Sequence, residues 1–92
     1  MNSEFNEFDL LKLREEIDRI DKSLVSLLAE RMEVVKKIGE IKKENNLPVN
    51  DPKREEKVIE KVRTLAGDKY PGEIEEIYRN LFIVAKKLED KV

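Results

Sequence analysis

Residues 10–41 read LLKLREEIDRIDKSLVSLLAERMEVVKKIGEI, and the spacing of the apolar side chains in this stretch decides the fold. Leu10, Leu13, Ile17, Ile20, Leu24, Leu27, Val34, Ile38 and Ile41 recur at alternating steps of three and four, with one interruption at Arg31. That period lays a single apolar stripe along one side of a helix. Gly39 is the only Gly or Pro in the run, so the pattern predicts one helix from about residue 8 to about residue 45. At 1.5 Å per residue such a helix is roughly 55 Å long, whereas a compact chain of this length has a diameter of only ~30 Å. The helix therefore outruns its own domain and needs a partner along its seam, most simply the same helix of a second copy. Leu11, Val25, Leu28, Met32 and Val35 form a second stripe beside the first, which other helices must cover.

Outward from this segment the chain is also helical. Asn45 to Asn50 contains turn formers and Pro48, which end the long helix. Asp51-Pro52 restarts one, with Asp as N-cap and Pro at the first helical position. Val58, Ile59, Val62 and Leu65 supply its apolar face up to Ala66. After the loop Gly67 to Gly72, a third helix is expected over about 73–90. Ile74, Ile77, Leu81, Val84 and Leu88 form one stripe of it, and Tyr78, Phe82, Ala85 and Glu89 an adjoining one. Residues 1–8 are expected to be flexible. No strand pattern or repeat is present. The fold class is all-α, one domain over residues 1–92, with one very long and two shorter helices, the long one packed along a second copy in a homodimeric bundle.

Composition narrows the function. The chain has 92 residues, 43% of them charged and 39% hydrophobic, with no Cys and no His. Thiol nucleophiles, histidine bases and triads are thereby excluded, and neither a disulfide nor a structural zinc site can stabilise so small a domain. A monomer of this size buries only about 60% of its unfolded surface, which again points to oligomerisation. Nineteen basic and 21 acidic residues are interspersed, for a net charge of −2. A nucleic-acid binder gathers a basic excess on one face, and a membrane span needs about 20 apolar residues in a row. Neither feature is present, so no nucleic-acid or membrane partner is expected, and the cytoplasm is the expected location.

Several polar residues interrupt the apolar pattern. Arg31 occupies a core heptad position. It is either a polar residue that fixes helix register or part of an anion site inside the bundle, since Arg binds carboxylates bidentately. Lys42 follows eleven residues later, about 16 Å along the axis and within about 20° of the same face. Arg14 lies 17 residues before Arg31, about 25 Å away and rotated by about 100°. It is either a solvated surface arginine or, in an antiparallel dimer, a neighbour of the other copy's Arg31. Asp51 is a cap whatever else it does, at a helix N-terminus that favours anions. Arg54 and Glu55 are either solvated charges one turn in or members of a site. Glu89 is either a fraying-end carboxylate or a functional group on an apolar stripe.

The ordered set formed by Leu13 to Asp21, Leu27 to Arg31, Ile41-Lys42 and Pro48 to Glu55 resembles the all-helical class of chorismate mutases. The resemblance covers about residues 10–90 and needs no gap through Glu55. It implies three helices per chain, interlocked in a dimer with two active sites, that rearrange chorismate to prephenate without a cofactor or metal. It also implies roles. Arg31 would bind one substrate carboxylate, and Arg14 would reach in from the partner subunit for the other. Lys42 would donate to the ether oxygen of the breaking bond. Asp51 and Glu55 would lie by the ring hydroxyl, and Arg54 would line the anionic end. Conformational restriction and charge stabilisation at the ether oxygen suffice for a one-substrate rearrangement.

Two positions depart from the bacterial pattern, which often has Ser and Gln four residues apart on the last helix. Here they are Ala85 and Glu89. Ala85 lacks a hydroxyl for the substrate pocket. Glu89 can donate to the ether oxygen only when protonated, as in fungal members with Glu there, so activity is expected to fall as pH rises. Two other functions remain open on the sequence: an isochorismate-pyruvate lyase of the same fold, and a non-catalytic dimerisation module.

Overall fold

A computed structural model describes residues 6–92. Contacts divide the chain into two units, one ending at Arg31 and the other running from Met32 to Val92. Three helices make up the fold: α1 over Glu7–Glu44, α2 over Pro52–Ala66 and α3 over Pro71–Lys91. Among the described residues there is no strand, and no helix is long and apolar enough to cross a membrane.

Each helix starts and stops for local chemical reasons. Asn6 opens α1, its side-chain oxygen accepting from the Phe8 N–H at 3.0 Å, and Glu7 and Asp9 put negative charge at the positive end of the dipole. The first five residues, on which most of the expected flexible lead-in falls, lie outside the described residues. Glu7 and Phe8, expected within that lead-in, belong to α1.

At the other end of α1, Asn46 is left-handed with φ 54°. The Leu47 N–H donates to the Lys42 carbonyl at 2.8 Å and the Asn46 N–H to the Lys43 carbonyl at 3.3 Å. This pair of bonds is a Schellman closure, which satisfies carbonyls that the helix end would otherwise leave open. Pro48 follows and prevents continuation.

In α2, Asp51 caps as the sequence suggests, its carboxylate accepting from the Arg54 N–H at 3.2 Å, with Pro52 at the start. Gly67 closes the helix at φ 62°, a backbone conformation that a Cβ disfavours. The third helix begins at Pro71, earlier than the expected residue 73. Pro71 is pre-set for the first helical turn, and the Ile74 N–H bonds back to the Tyr70 carbonyl at 3.0 Å, so Pro and Gly72 are part of the helix here.

The buried apolar residues are Val35 of α1, Ile59 and Val62 of α2, and Phe82 of α3. All four belong to the second unit. Tyr78 meets Phe82 edge to face, with ring centroids 6.3 Å apart. On the outside, α2 and α3 are laced by charge. Glu75 pairs with Arg63 at 2.7 Å and with Arg79 at 3.0 Å, and Arg79 reaches Glu56 at 3.1 Å. Hydrogen bonds from Arg79, then Arg63, hold the Glu75 carboxyl below its ordinary value. Its own hydrogen bonds to Glu56, then to Glu75, push Arg79 up.

From Leu13 to Ile41 the apolar residues of the main stripe of α1 are exposed. Leu13 is 58% exposed, Leu27 63% and Ile41 56%. Apolar side chains in a helical row of this length are not left to water without a reason.

Candidate active site

The functional candidates of the second unit gather where the end of α1, the loop before α2, the first turn of α2 and the last turns of α3 come together. Lys42 is on α1 and Glu89 on α3. The Lys42 Nζ lies 2.7 Å from Glu89 Oε1, with only 18% and 9% of the two side chains exposed. The contact sets a cation directly against the buried Oε1. Lys42 also donates to the Val49 carbonyl at 3.0 Å, which fastens the loop to the helix it leaves. An ammonium has three N–H donors and no acceptor. A half-buried Lys42 held from two sides is therefore a fixed positive donor in a site partly shielded from water.

The first turn of α2 is organised by a lysine that the sequence reading passed over. Lys86 pairs with Glu55 Oε2 at 3.1 Å and donates to Asn50 Oδ1 at 3.2 Å, tying α3 to both sides of the Asp51 cap. Asp51 is exposed and engaged through its oxygen with the Arg54 N–H. The Arg54 side chain is exposed and Glu55 is half-buried. Ala85 is half-buried on α3, one turn before Glu89. The structure thus brings Lys42 and Glu89 into contact and places Asp51, Arg54 and Glu55 in one turn under Lys86.

Arg14 and Arg31 stand on the part of α1 within the first unit. Arg14 is exposed and Arg31 half-buried. Seventeen residues separate them, about 25 Å at the helical rise, so one copy of this helix cannot bring them together.

Gly39 is the second residue that sequence reasoning did not single out. It is buried within α1, where glycine costs about 1 kcal/mol relative to alanine. That cost was a signal in the sequence that a neighbour approaches closely. Lys86 offered no such signal, being one of two adjacent lysines on α3.

The model of the family described as chorismate mutase type II matches residues 13–90. The chain belongs to that family. Among proteins similar to it is a bifunctional chorismate mutase/prephenate dehydratase of Aquifex aeolicus (strain VF5), 40% identical over 89 residues, which cover 91% of this chain and 25% of that protein. A chorismate mutase of Methanocaldococcus jannaschii is 39% identical over 59 residues, covering 64% of this chain and 60% of that one. The chain thus spans a quarter of the first relative's length and under two thirds of the second's. Among solved structures, chorismate mutase (form II) from Thermus thermophilus superposes with a TM-score of 0.83 at 30% identity. That superposition covers 89% of this chain and 94% of that one.

Proposed function

We propose that this chain is a chorismate mutase that rearranges chorismate to prephenate, acting in the cytoplasm as a homodimer with two sites. The observation that carries the reading is the half-buried Lys42–Glu89 contact at 2.7 Å, on a chain of the chorismate mutase family. In the rearrangement the ether C–O bond breaks as a C–C bond forms within one molecule, and no group leaves. Negative charge grows on the ether oxygen in the transition state, and a pre-placed cationic donor stabilises it there without reorganisation. Lys42 is that donor. Glu89 is the second only where it carries a proton, because a carboxylate accepts and does not donate.

The remaining residues hold the reactive conformer. Arg31 takes one substrate carboxylate and the partner subunit's Arg14 the other. Asp51 and Glu55 meet the ring hydroxyl, Arg54 lines the anionic end, and Ala85 leaves room without adding a hydroxyl contact. Restricting an otherwise flexible ether to its reacting geometry is a large part of the rate of such a step. The uncovered seam of α1, with Leu13, Leu27 and Ile41 more than half exposed, supports the dimer, in which two copies of the long helix cover one another.

The test is to incubate the protein with chorismate, follow the loss of its absorbance and identify the product. Prephenate is expected. Pyruvate release would instead assign the lyase reaction, and no turnover would reduce the chain to a dimerisation module. Catalytic efficiency of the wild type should fall from pH 4.5 to 8.5. Glu89→Gln, which carries a permanent N–H donor, should flatten that profile. Equal flat profiles for both would remove Glu89 from the site.

A further inference from the structure

Two of the three glycines sit in helices, and their surroundings are opposite. A Cβ built on Gly72 meets nothing within 4 Å. A Cβ built on Gly39 would lie 2.9 Å from Glu89 Cα, 3.2 Å from Glu89 Cβ and 2.8 Å from Val92 Cγ2. The first of these is backbone of α3, which has no rotamer by which to withdraw. Even a methyl group at Gly39 must therefore push the last turns of α3 away from α1, at the residue that carries the Glu89 carboxylate. Gly39 lies three residues before Lys42 on the same helix, close to one turn and thus on a neighbouring position of the same face.

We infer that Gly39 is a positioning residue: its missing side chain sets how closely α3 approaches α1, and that closeness keeps the Glu89 carboxylate against Lys42. Lys42 is fastened separately to the Val49 carbonyl at 3.0 Å, so a shift of α3 moves Glu89 while Lys42 stays. Moving α3 away from α1 lengthens the 2.7 Å contact. The glycine at this interior helix position, where every other residue except proline favours the helix more, is then explained by the site and not by helix formation. This inference rests on the proposed roles of Lys42 and Glu89 as donors to the ether oxygen.

The experiment measures kcat and KM for chorismate, together with thermal melting by circular dichroism, for six proteins: wild type, Gly39→Ala, Gly72→Ala, Glu89→Ala, and the pairs Gly39→Ala/Glu89→Ala and Gly39→Ala/Val92→Ala. Gly39→Ala is expected to keep the helical signal and to lose about tenfold to a hundredfold in kcat, as misplacement of a catalytic group by a fraction of an ångström to one ångström does, with KM changed far less. Gly72→Ala should match the wild type. In the Glu89→Ala background Gly39→Ala should add less than about a twofold loss, because residues acting through one contact are not additive.

If Gly39→Ala melts early, the pair with Val92→Ala removes the side-chain clash and leaves the backbone one, so folding should recover while kcat stays low. Wild-type kcat in either Gly39→Ala protein would overturn the inference, and so would a full further loss in the Glu89→Ala background. Full activity of Glu89→Ala would instead overturn the donor role of Glu89, and the positioning role of Gly39 with it.

Discussion

Residues 6–31 and residues 32–92 carry the same kind of helical pattern and meet different fates. In the first region no residue is buried, although Leu13, Ile17, Ile20, Leu24 and Leu27 keep a perfect heptad seam. In the second, Val35 and Gly39 of the same helix are buried, together with Ile59, Val62 and Phe82. The difference teaches that periodicity states which face is apolar and says nothing about what covers it. In the second region α3 closes on Gly39 and α2 packs with α3, while Val34, Ile38 and Ile41 of the seam stay 50%, 43% and 56% exposed. The seam is exposed in both regions, and the proposed dimer covers it.

The most severe way to break this contrast is a charge in the uncovered seam. Leu24→Lys should abolish the dimer and most of the helical signal at micromolar concentration, since an unpaired charge in a buried interface costs about 3–5 kcal/mol. Sedimentation and circular dichroism read it directly, and an unchanged dimer would mean that the seam faces water. Next in size is the self-covered region. Ile59→Ala should lower unfolding stability by about 2–5 kcal/mol, as buried aliphatic truncations do, measured by urea denaturation. The start of the same helix offers a smaller effect, because Asp51→Ala removes a cap and should cost about 1 kcal/mol.

The smallest effect is on the outside of the α2–α3 pair. Arg79 and Arg63 hold the Glu75 carboxyl below its ordinary value of 4.5. A carboxyl whose folded value is depressed contributes stability at pH above the unfolded value and loses it as pH falls through the folded one. The melting temperature should therefore decline on acidification below about pH 4.5 in part through Glu75, and Glu75→Gln should shrink that decline slightly, as an exposed pair allows. An identical acid profile in the two proteins would show that the pairing contributes nothing to stability.

Three helices, the Asp51 cap and the end of α1 were legible in the residues themselves, because spacing and capping chemistry are local. The start of α3 was not: Pro71-Gly72 reads as loop, yet proline fits the first helical position and the bond from Ile74 to Tyr70 closes the turn. Of the candidate site, Lys42 and Glu89 stood out singly in the apolar pattern and were joined at one ether oxygen only by the family resemblance, because their contact links residues 47 positions apart, a distance that no helical period encodes. Lys86 was hidden for the same reason, since its partners Asn50 and Glu55 belong to another helix and its loop. Gly39 announced that something comes near, and only the placement of α3 says what.

The most direct measurement mixes Arg14→Ala with Arg31→Ala, each of which should be nearly inactive as a homodimer because a substrate carboxylate is left unpaired in both of its sites. If each site uses its own chain's Arg31 and the partner subunit's Arg14, a mixed dimer has one site with both arginines and one with neither. After free subunit exchange half of the dimers are mixed, so about a quarter of the wild-type activity per chain should return, as closed two-fold symmetry requires. Confirmed exchange, shown by mass spectrometry of differently tagged chains, with no recovery of activity would contradict the shared site.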